Sequence, residues 1–288
     1  MKVFSEKLVE AEVSFDLFSK CIFRLGKNNL RASFDDFQLI KEIGKGTCGV
    51  VYKAKHTKFN QIFIAAKTMH LTSCSEENAS IYSDLRVMLE SIECPFIVKC
   101  YGISIVPVSD ILHHDYTLLQ SKLSVYMFME LMDTCLQGLL HRLKKPFPEE
   151  VVGKIAVSIL EALNYLKEKF DVIHRDIKPS NMLLDGTGVV KLCDFGISGK
   201  VKHSQAVSNR AGSVLYMSPE RINSTTYGAR ADIWACGISF LELATARNPY
   251  EHLKTNEFAV LSTITTNPAP SLQGQYFSSP FKRFVNAW

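Results

Sequence analysis

The feature that most limits how this chain can fold is a change of hydrophobic period near residue 133. Before it, apolar residues come in short β-branched and aromatic runs. These are the Phe-rich stretch FDDFQLIKEIGKG, then Val50–Lys55 and Gln61–Met69 on either side of the polar turn HTKFN, then runs near Ile97–Val106 and Leu123–Leu131. One segment of this half, Ser75–Ile92, has helical spacing instead, with Ile81, Leu85, Met88 and Leu89 on one face. After residue 133 the helical period takes over. Pro146, Pro148, Glu149 and Glu150 make a helix start, because proline and acidic residues suit a first turn. Val152, Ile155, Ile159, Leu163 and Leu166 then mark one face of a long helix, and a second helix is expected near Ala231–Thr245. Strands first and helices second predict an α+β protein of two lobes, which 288 residues can accommodate. The expected divisions are an N-terminal extension over residues 1–34, whose role is not legible, a first lobe over 35–132 and a second over 133–288.

Composition removes several function classes. A net charge of +4 with no dense Lys/Arg block does not indicate nucleic acid. The eight cysteines are scattered, with no C-x-x-C pair, so neither a zinc site nor a disulfide framework is signalled. The start, MKVFSEKLVEAEV, lacks the apolar core of a signal peptide, and no run approaches the roughly 18 apolar residues of a membrane span. The expectation is a reduced, soluble, cytoplasmic protein that could also enter the nucleus.

Four stations carry chemistry. Gly44-Lys45-Gly46-Thr47-Cys48-Gly49 has three glycines that let backbone N–H groups approach phosphate. Alone it could be a dinucleotide fingerprint or a plain hairpin. A dinucleotide loop should open into a helix, whereas VVYKAK, which follows here, reads as a strand. Lys67, on an apolar strand shortly after, is either a phosphate-gripping lysine or a strand-end lysine reaching solvent. His174-Arg175-Asp176-Ile177-Lys178-Pro179-Ser180-Asn181 and Asp194-Phe195-Gly196 supply what phosphoryl transfer needs. Asp176 can accept a hydroxyl proton, Lys178 can neutralise γ-phosphate charge, and Asn181 and Asp194 offer oxygen ligands suited to Mg²⁺. Any one of these is more simply a solvated loop charge, but the ordered set matches the signature of a protein kinase.

On these residues the chain resembles the eukaryotic protein kinases over about residues 36–288. MELM at 129–132, HRDIKPSN at 174–181, KLCDFGISGK at 191–200 and YMSPERI at 216–222 are similar to mitogen-activated protein (MAP) kinase kinases. ELMDTC, YLKEKF-VIHRD and ELAT-PY point to the stress-activated branch that includes activators of Jun N-terminal kinases. The resemblance implies ATP and Mg²⁺ as cofactors. ATP would lie against Ile43, Gly44, Lys45, Gly46, Thr47, Cys48, Gly49, Val51, Ala65, Lys67 and Ser180. Met129 would be the gatekeeper, and Glu130 and Met132 would bond adenine through backbone groups. Asp84 maps to the acidic partner of Lys67, shorter by one methylene than the Glu of most kinases; Glu90 and Glu93 are the weaker alternatives. Phe195 and Gly196 are conformational parts. Ser213 matches a residue contacting the catalytic Asp and Lys, and Asp232, in the D-x-W that ends at Trp234, matches one that braces the catalytic loop.

The resemblance further implies a switch at Ser204 and Ser208, in S-x-A-x-S spacing, with Arg175 as phosphate partner. The implied substrate is the Thr-x-Tyr activation loop of a MAP kinase. The implied partners are an upstream MAP kinase kinase kinase and a scaffold, with no nucleic acid and no membrane span. Two departures stand out. The stretch between Gly102 and Met129 is longer than in relatives and is expected to extend a strand-connecting loop; the His113-His114 pair within it reads as solvated rather than metal-binding. The family's later helices and the Arg that pairs with the residue corresponding to Glu220 are absent, so Glu220 is expected to lack its partner and the second lobe to be incomplete. The competing reading is therefore a catalytically weak binding or decoy protein of the same fold.

Overall fold

Short β-branched and aromatic runs from Phe37 onward build an antiparallel sheet in the computed structural model, which describes residues 21–25, 28–46, 49–70, 85–107, 123–194, 213–223 and 228–287. The chain divides into two compact units, Met1–Glu93 with Val98–Leu131, and Cys94–Ile97 with Met132–Trp288.

The first unit begins with a hairpin that sequence reading left unread, β1 (Cys21–Leu25) against β2 (Asn28–Ala32). Then come β3 (Phe37–Gly46), β4 (Gly49–His56), β5 (Phe63–His70), β6 (Cys100–Pro107) and β7 (Leu123–Met129), in the spatial order β3-β4-β5-β7-β6. The start of β3 is fixed by Ser33 and Asp36: the Asp36 carboxylate accepts from the Ser33 N–H at 2.9 Å and from its hydroxyl at 3.0 Å, forming a capping box. One sheet face is closed by Ala32, Phe37, Ala54, Ile64, Ala66, Tyr126 and Phe128, with Phe34 and Leu39 against them. The Phe37 and Phe128 rings stack at 5.2 Å, and Phe34 tilts against Tyr126 at 4.5 Å. Residues near the end of the assigned extension thus belong to this core. Helix α1 is described over residues 85–90, where Leu85 and Met88 are buried as their spacing requires. The long connection between β6 and β7, with His113 and His114, lies outside the described residues.

The second unit is built on helices. α2 (Leu136–Leu143) is capped by Cys135, whose sulfur accepts from the Gly138 N–H at 3.3 Å. α3 (Glu149–Phe170) has acids in its first turn, Lys167 and Lys169 in its last, and Asp171 in the left-handed conformation after it, so sequence and helix dipole agree at both ends. Its inner face is Val152, Ile155, Ala156, Ile159, Ala162 and Leu166; Leu163, expected there, is only half-buried. Strands β8 (Thr134–Cys135), β9 (Met182–Leu184) and β10 (Val190–Leu192) form a small sheet in the order β10-β9-β8. After the short α4 (Pro219–Ile222), α5 (Ala229–Thr245) is buried without a break from Ala235 to Ala244, and the polar Asp232, Ser239 and Glu242 are buried with it, which makes it the central helix of this unit. α6 (Glu257–Thr266) and α7 (Ser279–Val285) follow, and Ser278 ties α7 to α3 by donating its N–H to Glu149 at 2.9 Å. Among the described residues no helix is long and apolar enough to cross a membrane. Glu220, expected to be left without a partner, is not free of interactions, which corrects that expectation.

Candidate active site

In the first unit Gly46, at the end of β3, pairs with Gly49, at the start of β4, so these glycines border two antiparallel strands and do not open a helix. Gly49 sits at φ +137°, and a Cβ there would lie 1.7 Å from the Thr68 carbonyl oxygen, so only glycine fits. The Thr68 hydroxyl donates to the Val50 carbonyl at 3.2 Å and accepts from the Val50 N–H at 3.4 Å, fixing the loop's exit. Lys67 pairs in register with Val51 on β4 and with Met127 on β7. It is 3% exposed and is not left unpaired, as a buried ammonium requires. Ala65 and Met129 are opposite each other in the next register and are both buried. The Glu130 N–H donates to the Lys99 carbonyl at 2.9 Å, so of its backbone groups the carbonyl is the one suited to adenine. Ile43 is exposed, and Gly44, Val51 and Glu130 are half-buried. Thr47, Cys48 and Asp84 lie outside the described residues.

In the second unit the residues from His174 to Asn181 are held from several directions. Asp232, on α5, accepts from the His174 N–H at 2.7 Å and the Arg175 N–H at 2.8 Å. Arg221 donates to the Arg175 carbonyl, so both backbone groups of Arg175 are engaged. This supports Arg175 at φ +70°, which costs a non-glycine residue about 1–2 kcal/mol. His174 is fully buried. Its Nδ1 accepts from the Asp176 N–H at 3.2 Å, so the ring proton sits on Nε2 and donates to the Cys193 carbonyl at 2.9 Å. Burial holds its pKa below the ordinary 6.5, outweighing the pull of Asp232, Asp176 and Asp194. The histidine therefore ties the His174–Asn181 loop to the strand leading to Asp194. Both His174, in HRDIKPSN, and Arg221, in YMSPERI, stand in sequence motifs that give them no role.

Asp176 is the hub of the side chains. Lys178 Nζ is 2.9 Å from one carboxylate oxygen and donates to the other at 3.1 Å, and the same ammonium donates to the Ser213 hydroxyl at 2.7 Å. Asn181 Nδ2 donates to the Asp176 carbonyl at 2.8 Å and its carboxylate at 3.0 Å. Burial alone would raise the Asp176 pKa, but Lys178, then His174 and Asn181, hold it below the usual carboxylate value. Asn181 is buried and Ser180 and Met132 are half-buried. Asp194 takes φ +60° at the end of this network. Since the Asn181 amide nitrogen serves Asp176, its amide oxygen is the atom with ligand capacity, and Asp194 adds a carboxylate. Among the described residues no group of three His, Cys, Asp or Glu could hold a metal by itself. Two oxygen donors completed by nucleotide phosphates fit Mg²⁺. Phe195, Gly196, Ser204 and Ser208 lie outside the described residues. Arg175 Nε is buried with no hydrogen-bond partner among the described residues.

A carboxylate braced by Lys and Asn in one unit, and a glycine hairpin followed by a buried strand lysine in the other, define a phosphotransfer fold. The protein kinase domain model matches residues 37–287. Dual specificity mitogen-activated protein kinase kinase 7 of Rattus norvegicus is 43% identical over 267 residues, covering 91% of this chain and 60% of the relative. Dual specificity mitogen-activated protein kinase kinase mek-1 of Caenorhabditis elegans is 41% identical over 263 residues, 90% of this chain and 70% of the relative. The Drosophila melanogaster protein named dual specificity mitogen-activated protein kinase kinase hemipterous is 43% identical over 256 residues, 87% of this chain and 20% of the relative. The chain belongs to the protein kinase family and, within it, to the dual specificity mitogen-activated protein kinase kinases. It spans 60% of the length of the rat relative.

Proposed function

We propose that this chain transfers the γ-phosphoryl group of ATP to Thr and Tyr in the activation loop of a MAP kinase, within a stress-type cascade. The observation that carries the reading is the Asp176 carboxylate, oriented by Lys178 and Asn181 with Ser213 on the same ammonium. The substrate hydroxyl oxygen attacks the γ-phosphorus, the bond from phosphorus to the β,γ-bridging oxygen breaks, ADP leaves, and Asp176 takes the hydroxyl proton. Lys178 offsets charge on the transferred group, and Lys67 grips the α- and β-phosphates. Mg²⁺, held by Asn181 and Asp194 together with phosphate oxygens, would neutralise charge developing on the β- and γ-phosphates.

The stress-type assignment is supported by the ELMDTC and YLKEKF-VIHRD segments and by the similarity to the mammalian kinase kinase 7 proteins. Activation by an upstream kinase at Ser204 and Ser208, with Arg175 receiving phosphate, is part of the same proposal, as are a scaffold partner and a cytoplasmic location. The test is phosphorylation of a panel of catalytically dead MAP kinases by the wild type and by Asp176→Ala, each carrying Ser204→Asp and Ser208→Asp, with the modified residues mapped. Phosphate on both Thr and Tyr of one substrate, lost in Asp176→Ala, is expected. Equal phosphorylation by the two proteins would remove the catalytic reading.

A further inference from the structure

The sheet of the first unit has one face closed by the Phe37–Phe128 core. The other face carries Ala65, Lys67 and Met129 at its buried end. Strand alternation continues that face outward to Phe63, and the register sets Lys55 opposite Phe63, Lys53 opposite Ala65, and Lys41 opposite Lys53. Lys53 Nζ stands 4.6 Å over the Phe63 ring centroid and Lys55 Nζ 6.0 Å from it. Phe63 is 39% exposed. None of the three lysines forms an ion pair among the described residues.

This arrangement opposes local stability, because like charges directly across a sheet repel. At Lys41 a simpler account suffices: β3 is an edge strand, and lysine on an edge discourages pairing with other chains. That account fails for Lys53 and Lys55, because β4 is hydrogen-bonded on both sides and has no edge to guard. Both are half-buried, with their ammonium groups gathered at one aromatic ring. Part of the ordering entropy of two long side chains is thus already lost before any partner arrives, which is how a binding surface is preorganised.

We propose that Lys53 and Lys55, ordered around Phe63, with Lys41 opposite Lys53 on the neighbouring strand, form a docking surface for an acidic peptide segment of a partner protein. The charge is positive and compact, so its complement is a short run of carboxylates. Three lysines fall below the cluster of about 4–8 that marks anionic-lipid recognition. A net charge of +4 is too small for a nucleic-acid track. The surface lies wholly within the first unit and uses no residue assigned to catalysis.

The experiment is fluorescence anisotropy of the full chain with a fluorescein-labelled dodecapeptide of alternating glutamate and serine, with its glutamine counterpart as control. The glutamate peptide should bind, more weakly as salt rises from about 50 to about 300 mM, and the glutamine peptide should not. Lys53→Glu with Lys55→Glu should weaken binding about tenfold or more, and Lys53→Gln with Lys55→Gln by an intermediate factor. The milder pair keeps the test decisive if charge reversal unfolds the sheet. Phe63→Leu, which keeps apolar bulk but removes the ring, should weaken binding about threefold. Asp176→Ala should bind like the wild type, which separates this surface from the phosphotransfer site. Lys154→Glu, at an exposed position of α3, should also bind like the wild type. Undiminished binding by both lysine pairs, equal loss in Lys154→Glu, equal binding of the glutamine peptide, or lysine-dependent binding to anionic vesicles without binding to the peptide would each overturn the proposal.

Discussion

Lowering the pH through the mid-acid range should destabilise the catalytic loop through His174. The imidazole is fully buried, and its two nitrogens have opposite duties, Nδ1 accepting from the Asp176 N–H and Nε2 donating to the Cys193 carbonyl. A second proton would sit on Nδ1 and point at another donor. Asp232, Asp176 and Asp194 all favour the cation, yet burial wins, and the folded pKa lies below 6.5. The unfolded chain therefore takes up the proton first. The contribution is present above pH 6.5 and declines as pH falls below it, until the folded pKa is reached. For one such group the loss between about pH 7.5 and about pH 5.5 reaches at most about 1.4 kcal/mol. For a protein of this size that is a fall of about 3–6 °C in Tm. The assay is a series of thermal melts of the wild type and His174→Phe across this range. The variant should be less stable at neutral pH, and the difference between the two should shrink as the pH falls, by no more than that amount. Nitrogen chemical shifts of His174 should meanwhile report the neutral Nε2–H tautomer at neutral pH and still at pH 6.5, where a free imidazole is half protonated. Parallel pH profiles for the two proteins, or an imidazolium signal already present at neutral pH, would refute the reasoning.

Three further outcomes follow from single contacts. Gly49→Ala forces a Cβ onto the Thr68 carbonyl oxygen at φ +137° and should cost about 3 kcal/mol or more in urea unfolding; an unchanged midpoint would contradict the turn geometry. Asp232→Ala strips the acceptor from the His174 and Arg175 N–H groups and should cost about 2–5 kcal/mol, with Asp232→Asn, which keeps one acceptor, costing clearly less in the same denaturation assay. Tyr216→Phe removes the 2.6 Å bond to the buried Glu242 carboxylate and should cost about 1–3 kcal/mol. Burial raises the Glu242 pKa, so the contribution of its proton is complete at low pH and lost as pH rises, whereas the Tyr216 bond favours the ionised form. The Tyr216→Phe penalty should thus be larger in melts near pH 8 than near pH 5, and the reverse order would sink the argument.

The strands were legible as short β-branched and aromatic runs bounded by polar turns, and the long helix by its periodic apolar face. β4, β5 and β7 follow from such runs, and Glu149–Phe170 from its proline and acids at one end and its i, i+3, i+4 spacing. The hairpin Cys21–Ala32 was not, because CIFRL and NNLRA are too short and mixed to declare a period, and their strand character depends on the pairing itself. Leu163 was assigned to the inner face of α3, yet Ala156 and Ala162 take inner positions: periodicity gives the direction of a face, while the close approach of neighbours decides where small residues must stand.

The site divides along the same physical line. Asp176, Lys178, Asn181 and Asp194 could be named because phosphoryl transfer demands those functional groups in that order, and chemistry of that kind is local in sequence. What holds them is not local. Asp232 reaches back 58 residues to His174, Ser213 meets Lys178 across 35, and Arg221 meets Arg175 across 46. Asp232 and Ser213 entered only through family resemblance, and Arg221 lay in a resembling segment, YMSPERI, with no role attached. Arg175 shows why this matters. Its strained backbone and buried guanidinium nitrogen are tolerable only while Asp232 and Arg221 hold its N–H and carbonyl. Loosening either support should therefore disturb the catalytic loop before it disturbs the helices around it. The groups proposed to react are written in a short motif, but the loop that carries them is held by contacts that no single short motif contains.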